Sequence, residues 1–194
     1  MKSGVRALGI AASGGDPAAR STLAGAVVRA DRAVDGLRFG QCTVGGTDAT
    51  AAIARLYDRL NRPDVRYVIT AGVALAWYNM VDIERLAARF DRPVVAVSFE
   101  ASPGLSDAIR AGVANPDPRL AVYERLPERV PVTVNDEQLF VRAAGCSRAT
   151  ARDVIQEFTP TGGRPEPVRV ARLAARAGDA FRRNAGSPPG LTQC

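Results

Sequence analysis

No amphipathic helix is written between residues 11 and 47, and that silence constrains the fold more than any other feature. Val5 to Ile10, LAGAVVRA at 23–30 and LRFGQCTV at 37–44 read instead as three successive strands. The link DRAVDG predicts a hairpin turn at Asp35-Gly36. Only then do helix and strand alternate. Ile53, Leu56, Tyr57 and Leu60 share one helical face, with Thr47 or Asp48 placed to cap it. VRYVIT at 65–70 reads as a buried strand, Ile83 to Phe90 as a second helix, and RPVVAVSFE at 92–100 as a further strand. Ser102-Pro103 predicts a helix start, residues 120–123, 130–134 and 139–142 read as strands, and helices follow at 148–158 and about 167–177. A doubly wound fold would place a helix between its first strands. The order here, β-β-β-α-β-α-β with a C-terminal helical extension, is that of an α/β, ribonuclease-H-like mixed sheet.

Chemistry is bounded just as tightly. The chain of 194 residues holds no histidine, which removes histidine general bases, histidine-dependent triads and most zinc sites. Cys42, Cys146 and Cys194 have no metal-ligand spacing, so reduced thiols are expected. No apolar run is long enough for a membrane span or a signal peptide, and the expected location is the cytoplasm. A single domain over 1–180 is expected, with a disordered Pro/Gly tail at 181–194.

Of the net charge of +6, +4 falls between Arg164 and Arg183. On the last helix Val170, Leu173, Ala174 and Ala177 form an apolar stripe flanked by Arg169, Arg172 and Arg176. Three guanidiniums so close repel unless an anion meets them. Phosphate fits their bidentate donors, whereas Glu166 or Asp136-Glu137 offers internal neutralisation. With Arg164 they form a candidate nucleic-acid surface. Trp77 and Tyr78, beside Asn79, either stack on nucleobases or plug the sheet edge. Asp82 is placed to cap the second helix, with Asn79 as the other candidate for that role.

Several stretches together carry a family resemblance: VRALGI, TVGGTDAT at 43–50, WYNMVDI at 77–83, RPVVAVSFEASPGL at 92–105 and GGRPEPVRVARLAA at 162–175. In order and over most of the chain, they resemble an archaeal family of uncharacterised-domain proteins also named endonuclease dU, related to endonuclease V. The resemblance implies a ribonuclease-H-like nuclease acting on damaged, deaminated DNA in DNA repair. It also implies Mg²⁺ or Mn²⁺ held by carboxylates at strand ends. Members resemble GIDD, VDGxDAT and LDGI at three places where this sequence has Ala11-Ala12, Gly45 and Ala71-Gly72. Asp48 alone survives from that set. Glu100, at another strand end, is the one acid placed to join it as a rearranged catalytic and metal-binding pair; a helix cap and a solvated acid are the plain alternatives. Two functions stay open: a divergent metal-dependent endonuclease, or a catalytically silent relative that binds nucleic acid or a protein through its arginines. Self-association is open to either.

Overall fold

A computed structural model describes residues 2–14 and 20–185 of the chain. Three strands come first: β1 (Arg6–Ala12), β2 (Arg20–Arg29) and β3 (Val34–Thr43). Then follow α1 (Ala49–Leu60), β4 (Val65–Thr70), a small hairpin of β5 (Ala74–Leu75) and β6 (Asn79–Met80), α2 (Ile83–Phe90) and β7 (Val94–Ser98). The C-terminal part adds α3 (Ser106–Gly112), α4 (Asp117–Arg125), β8 (Val130–Val134), β9 (Glu137–Ala144), α5 (Arg148–Glu157) and α6 (Glu166–Ala185). The main sheet runs β3-β2-β1-β4-β7-β9-β8. β1, β4 and β7 are parallel, and antiparallel strands flank them on both sides. The β-β-β-α-β-α-β order read from the sequence is therefore present, with the β5–β6 hairpin inserted into what reads as a loop.

Helices cover both faces of the sheet. On one, Leu8 and Ile10 pack with Ile53 and Leu56 of α1, Ile83 and Leu86 of α2, and Ile109 of α3. On the other, Ile69, Val95 and Val97 pack with Val154 and Ile155 of α5 and Val168 of α6. Strand alternation divides β1 between these layers, so Ala7, Gly9 and Ala11 look toward α6. At Gly9 the helix comes so near that a Cβ would lie 2.0 Å from the Pro167 carbonyl oxygen. Ala171 completes this close approach against Ala11 and Ala26. Among the described residues no helix is long and apolar enough to cross a membrane.

Several local expectations are corrected. The first hairpin turns at Ala30–Ala33, with Arg32 at φ 72, so Asp35-Gly36 lies within β3. Asp35 instead binds Arg6 and Arg62, the latter at 2.8 Å. Residues 120–123 belong to α4, because prolines at 116 and 118 set up its first turn. α3 starts at Ser106, and Ser102 makes a tight local turn to Gly104. The stripe of α6 is rotated: Val168, Ala171 and Ala175 are buried, while Leu173 is 55% exposed. Only small side chains fit where the helix lies this close to β1, so bulk is turned outward. α6 continues to Ala185, placing 181–185 in a helix where a tail is expected; residues 186–194 lie outside the described residues.

Candidate functional site

Parallel strands align their C-terminal ends, and a ligand cleft at such an edge is the usual consequence. Here β1 ends at Ala11-Ala12, β4 runs into Ala71-Gly72, and β7 runs into Phe99-Glu100. A cleft of two adjoining lobes spans these ends, sharing Ala71, Ala74 and Arg172. The larger, about 530 Å³, is walled by Phe99, Tyr123, Phe140, Arg129, Arg142 and Arg164. The smaller, about 240 Å³, has Ala12 in its floor and Trp77, Arg172 and Arg176 in its walls.

The five arginines are not equivalent. Arg129 sits 4.0 Å above the Phe140 ring and donates to Ser98 Oγ and to the Ser102 and Glu100 carbonyls. Arg142 lies over Tyr123 and donates to the Pro127 carbonyl. Arg164 rests on the Phe99 ring at 4.4 Å. Arg172 and Arg176 have no hydrogen bond or ion pair among the described residues. Burial, then the charges of Arg176 and Arg164, push the Arg172 guanidinium below its ordinary range. Arg169 is different again, for Glu166 binds it with two hydrogen bonds of 2.7 and 2.5 Å. Internal neutralisation thus applies to Arg169, while Arg164, Arg172 and Arg176 face the cleft. Arg129, Arg142 and their aromatic partners carry no local sequence signal, because the fold of β8 and β9 brings them here.

Trp77 and Tyr78 are placed differently. Ala76, Trp77 and Tyr78 have φ values of 41, 61 and 53°, a left-handed run costing roughly 1–2 kcal/mol per residue. Tertiary contacts hold it: Gly45 N–H donates to the Ala76 carbonyl at 2.8 Å, and Trp77 Nε1 donates to the Gly112 carbonyl at 3.2 Å. Tyr78 packs its ring on Gly112, whereas Trp77 stays 54% exposed at the mouth of the smaller lobe.

Asn79, named with the candidate nucleic-acid residues, does not reach the surface. It is fully buried; its Oδ1 accepts the Ala49 N–H at 2.8 Å, and its Nδ2 donates to the Thr43 carbonyl and to Asp48 Oδ1. Asn79 therefore caps α1, while Asp82 caps α2 through Arg85 N–H at 3.0 Å. Asp48 occupies the N-cap position of α1 without making the cap bond. Its carboxylate accepts the Thr43 N–H and hydroxyl and the Asn79 amide. Burial pushes the Asp48 carboxyl up, but these hydrogen bonds together outweigh it and hold the group below its ordinary 3.8. Asn79→Ala is expected to destabilise the fold by about 2–3 kcal/mol, since it strands the Ala49 N–H at the helix start and takes a donor from the Thr43 carbonyl and from the Asp48 carboxylate. Denaturant titration at neutral pH checks this. A carboxyl with a lowered folded pKa contributes stability above its unfolded value, and that contribution fades as pH falls through the folded one. The effect of Asn79→Ala should therefore shrink in acid; an unchanged midpoint at pH 7 would remove the clasp.

A divalent cation needs several oxygen donors. Among the described residues Glu100 is the single carboxylate that lines the cleft, exposed at the larger lobe, and Asp48 is spent on Thr43 and Asn79. Ala11 is packed against Ala171, Gly45 lies in a turn at φ 68°, and Ala71 forms the floor between the lobes. Among the described residues no group of three His, Cys, Asp or Glu side chains is placed to hold a metal. The described residues do not fit Mg²⁺ or Mn²⁺. Cys42 offers no alternative nucleophile, as burial and then the Asp48 charge push its thiol up to about 12.

The sheet order and the strand-end cleft define a ribonuclease-H-like fold. The match to the endonuclease dU family model runs over residues 3–178, so the chain belongs to that family. A UPF0215 protein of Pyrobaculum calidifontis is 35% identical over 157 residues, covering 80% of this chain and 86% of the relative. A protein of unknown function from Archaeoglobus fulgidus superposes with a TM-score of 0.79 at 24% identity, over 89% of this chain and 97% of the other. Endonuclease V from Ciona intestinalis, solved with DNA containing an inosine, gives 0.62 at 12% identity, over 92% and 87%. These last two likenesses speak for the fold.

Proposed function

We propose that this protein is a nucleic-acid-binding member of the endonuclease dU family. In this reading it acts in the cytoplasm on damaged or deaminated DNA and holds the strand without cutting it. One observation carries the reading: the strand ends where the family resemblance expects carboxylates bear Ala11, Ala12 and Ala71, within a cleft walled by five guanidiniums. A metal ion would bridge carboxylates to phosphate and activate water. Arginines bind phosphate directly but cannot lower the pKa of water, and no histidine is present to act as base. The aromatic faces beside them suit unpaired bases. The endonuclease V solved with inosine-containing DNA supports the ligand class.

The test pairs cleavage with binding, using single- and double-stranded DNA that carries deoxyuridine or inosine. With Mg²⁺ or Mn²⁺ added, no product is expected, together with binding that weakens as salt rises. Metal-dependent cutting lost in Glu100→Gln would overturn the silent reading and install Glu100 as a ligand. Absence of both cutting and binding would remove nucleic acid altogether.

A further inference from the structure

The smaller lobe holds the cleft's uncompensated charge. Arg172 and Arg176 stand one turn apart on α6, and among the described residues the neighbouring arginines each have a partner these two lack: a ring for Arg164, carbonyls for Arg129 and Arg142, a carboxylate for Arg169. Beneath them the floor is Ala11, Ala12, Ala71 and Ala74, which leaves room and offers no counter-charge. Opposite stands Trp77, the chain's single tryptophan, exposed and fixed by its left-handed turn. Strain retained at an exposed aromatic beside a cleft points to use of that side chain.

We infer that this lobe seats the terminal phosphomonoester of a nucleic-acid strand, with the end base against the Trp77 indole. An internal phosphodiester carries one negative charge and matches one guanidinium. A monoester carries nearly two at neutral pH and presents three acceptor oxygens, which matches two arginines side by side. The lobe, about 240 Å³, has room for a phosphate beside the indole and opens onto the larger lobe, into which the strand would run. Burial lowers the Arg172 pKa first, and the further lowering by Arg176 and Arg164 is what such an anion relieves. The inference rests on the nucleic-acid reading above and narrows it to strands with a phosphorylated end.

Fluorescence anisotropy on the full chain distinguishes the sources of that group. Three short single-stranded DNAs of one sequence would be compared, bearing a 5′-phosphate, a 3′-phosphate or hydroxyls at both ends. One phosphorylated end is expected to bind about tenfold tighter than the hydroxyl form and to quench Trp77 emission. In the R172Q/R176Q double variant, shown folded by circular dichroism, the preference should vanish; in R169Q it should persist. Equal affinity for all three strands, or a preference that survives in R172Q/R176Q, overturns the monoester seat and leaves the proposed function standing. Unchanged Trp77 emission overturns the placement of the base. Failure of all three strands to bind overturns both readings.

Discussion

Gly9→Ala is expected to destabilise the protein by about 3 kcal/mol, against the direction that local preference dictates. Glycine weakens a strand by roughly 0.5–1 kcal/mol relative to alanine, so propensity alone makes this substitution favourable. The tertiary structure reverses the sign. A Cβ at Gly9 lies 2.0 Å from the Pro167 carbonyl oxygen and 2.7 Å from the Val168 nitrogen, both backbone atoms that no rotamer can move aside. Relief requires α6 to lift off the sheet. That motion would expose Val168, Ala171 and Ala175 and draw Asp179 from the Thr22 hydroxyl it accepts at 3.0 Å. Because Arg172 and Arg176 ride on α6, DNA binding should fall with stability. Gly4→Ala is the control, since a Cβ there meets nothing within 4 Å. Thermal and denaturant unfolding of both variants decide the matter: a Gly9→Ala protein as stable as the parent would mean that α6 is not clamped on β1.

That clamp also explains where the sequence could be read and where it misled. The α1 face was legible because Ile53 and Leu56 repeat with the helical period, and burial followed it. On α6 the stripe Val170, Leu173, Ala174 and Ala177 is at least as apolar as the face that packs. The information choosing between them sits far away, at Gly9, as a limit on side-chain size. The short run around Leu120 to Tyr123 suits a strand or a helix equally, and only its prolines favour the helix. Asn79 had the look of a loop residue beside aromatics; its partners Ala49, Thr43 and Asp48 lie thirty or more positions earlier. In the cleft, charge counting found Arg164, Arg172 and Arg176. It could not separate them from Arg169, whose neutralisation depends on how Glu166 turns. It had no means to find Arg129 and Arg142, which the antiparallel β8–β9 pair returns to the edge of β7.

The difference between Arg169 and its neighbours sets up the largest expected effect on binding. Each cation that meets a strand phosphate releases counterions, so the logarithm of affinity falls with the logarithm of salt by about 0.7 per contact on single strands. Replacing Arg164, Arg172 and Arg176 together by glutamine should flatten that slope by about 2. At low salt it should weaken binding about 100-fold, on the order of 1 kcal/mol for each guanidinium. Arg169→Gln should leave the slope nearly unchanged, because its charge is already answered by Glu166 at 2.5 Å. The triple change removes mutual repulsion, as Arg172 is held below its ordinary range partly by Arg176 and Arg164. Its stability should therefore hold or rise while its affinity collapses. A fold that merely became looser would lose both together, so melting temperature and salt slope measured side by side separate lost recognition from lost structure. If the triple variant kept the parent's slope, the cleft would not be the surface that meets the phosphates, and the arginines would have to be explained by something other than nucleic acid.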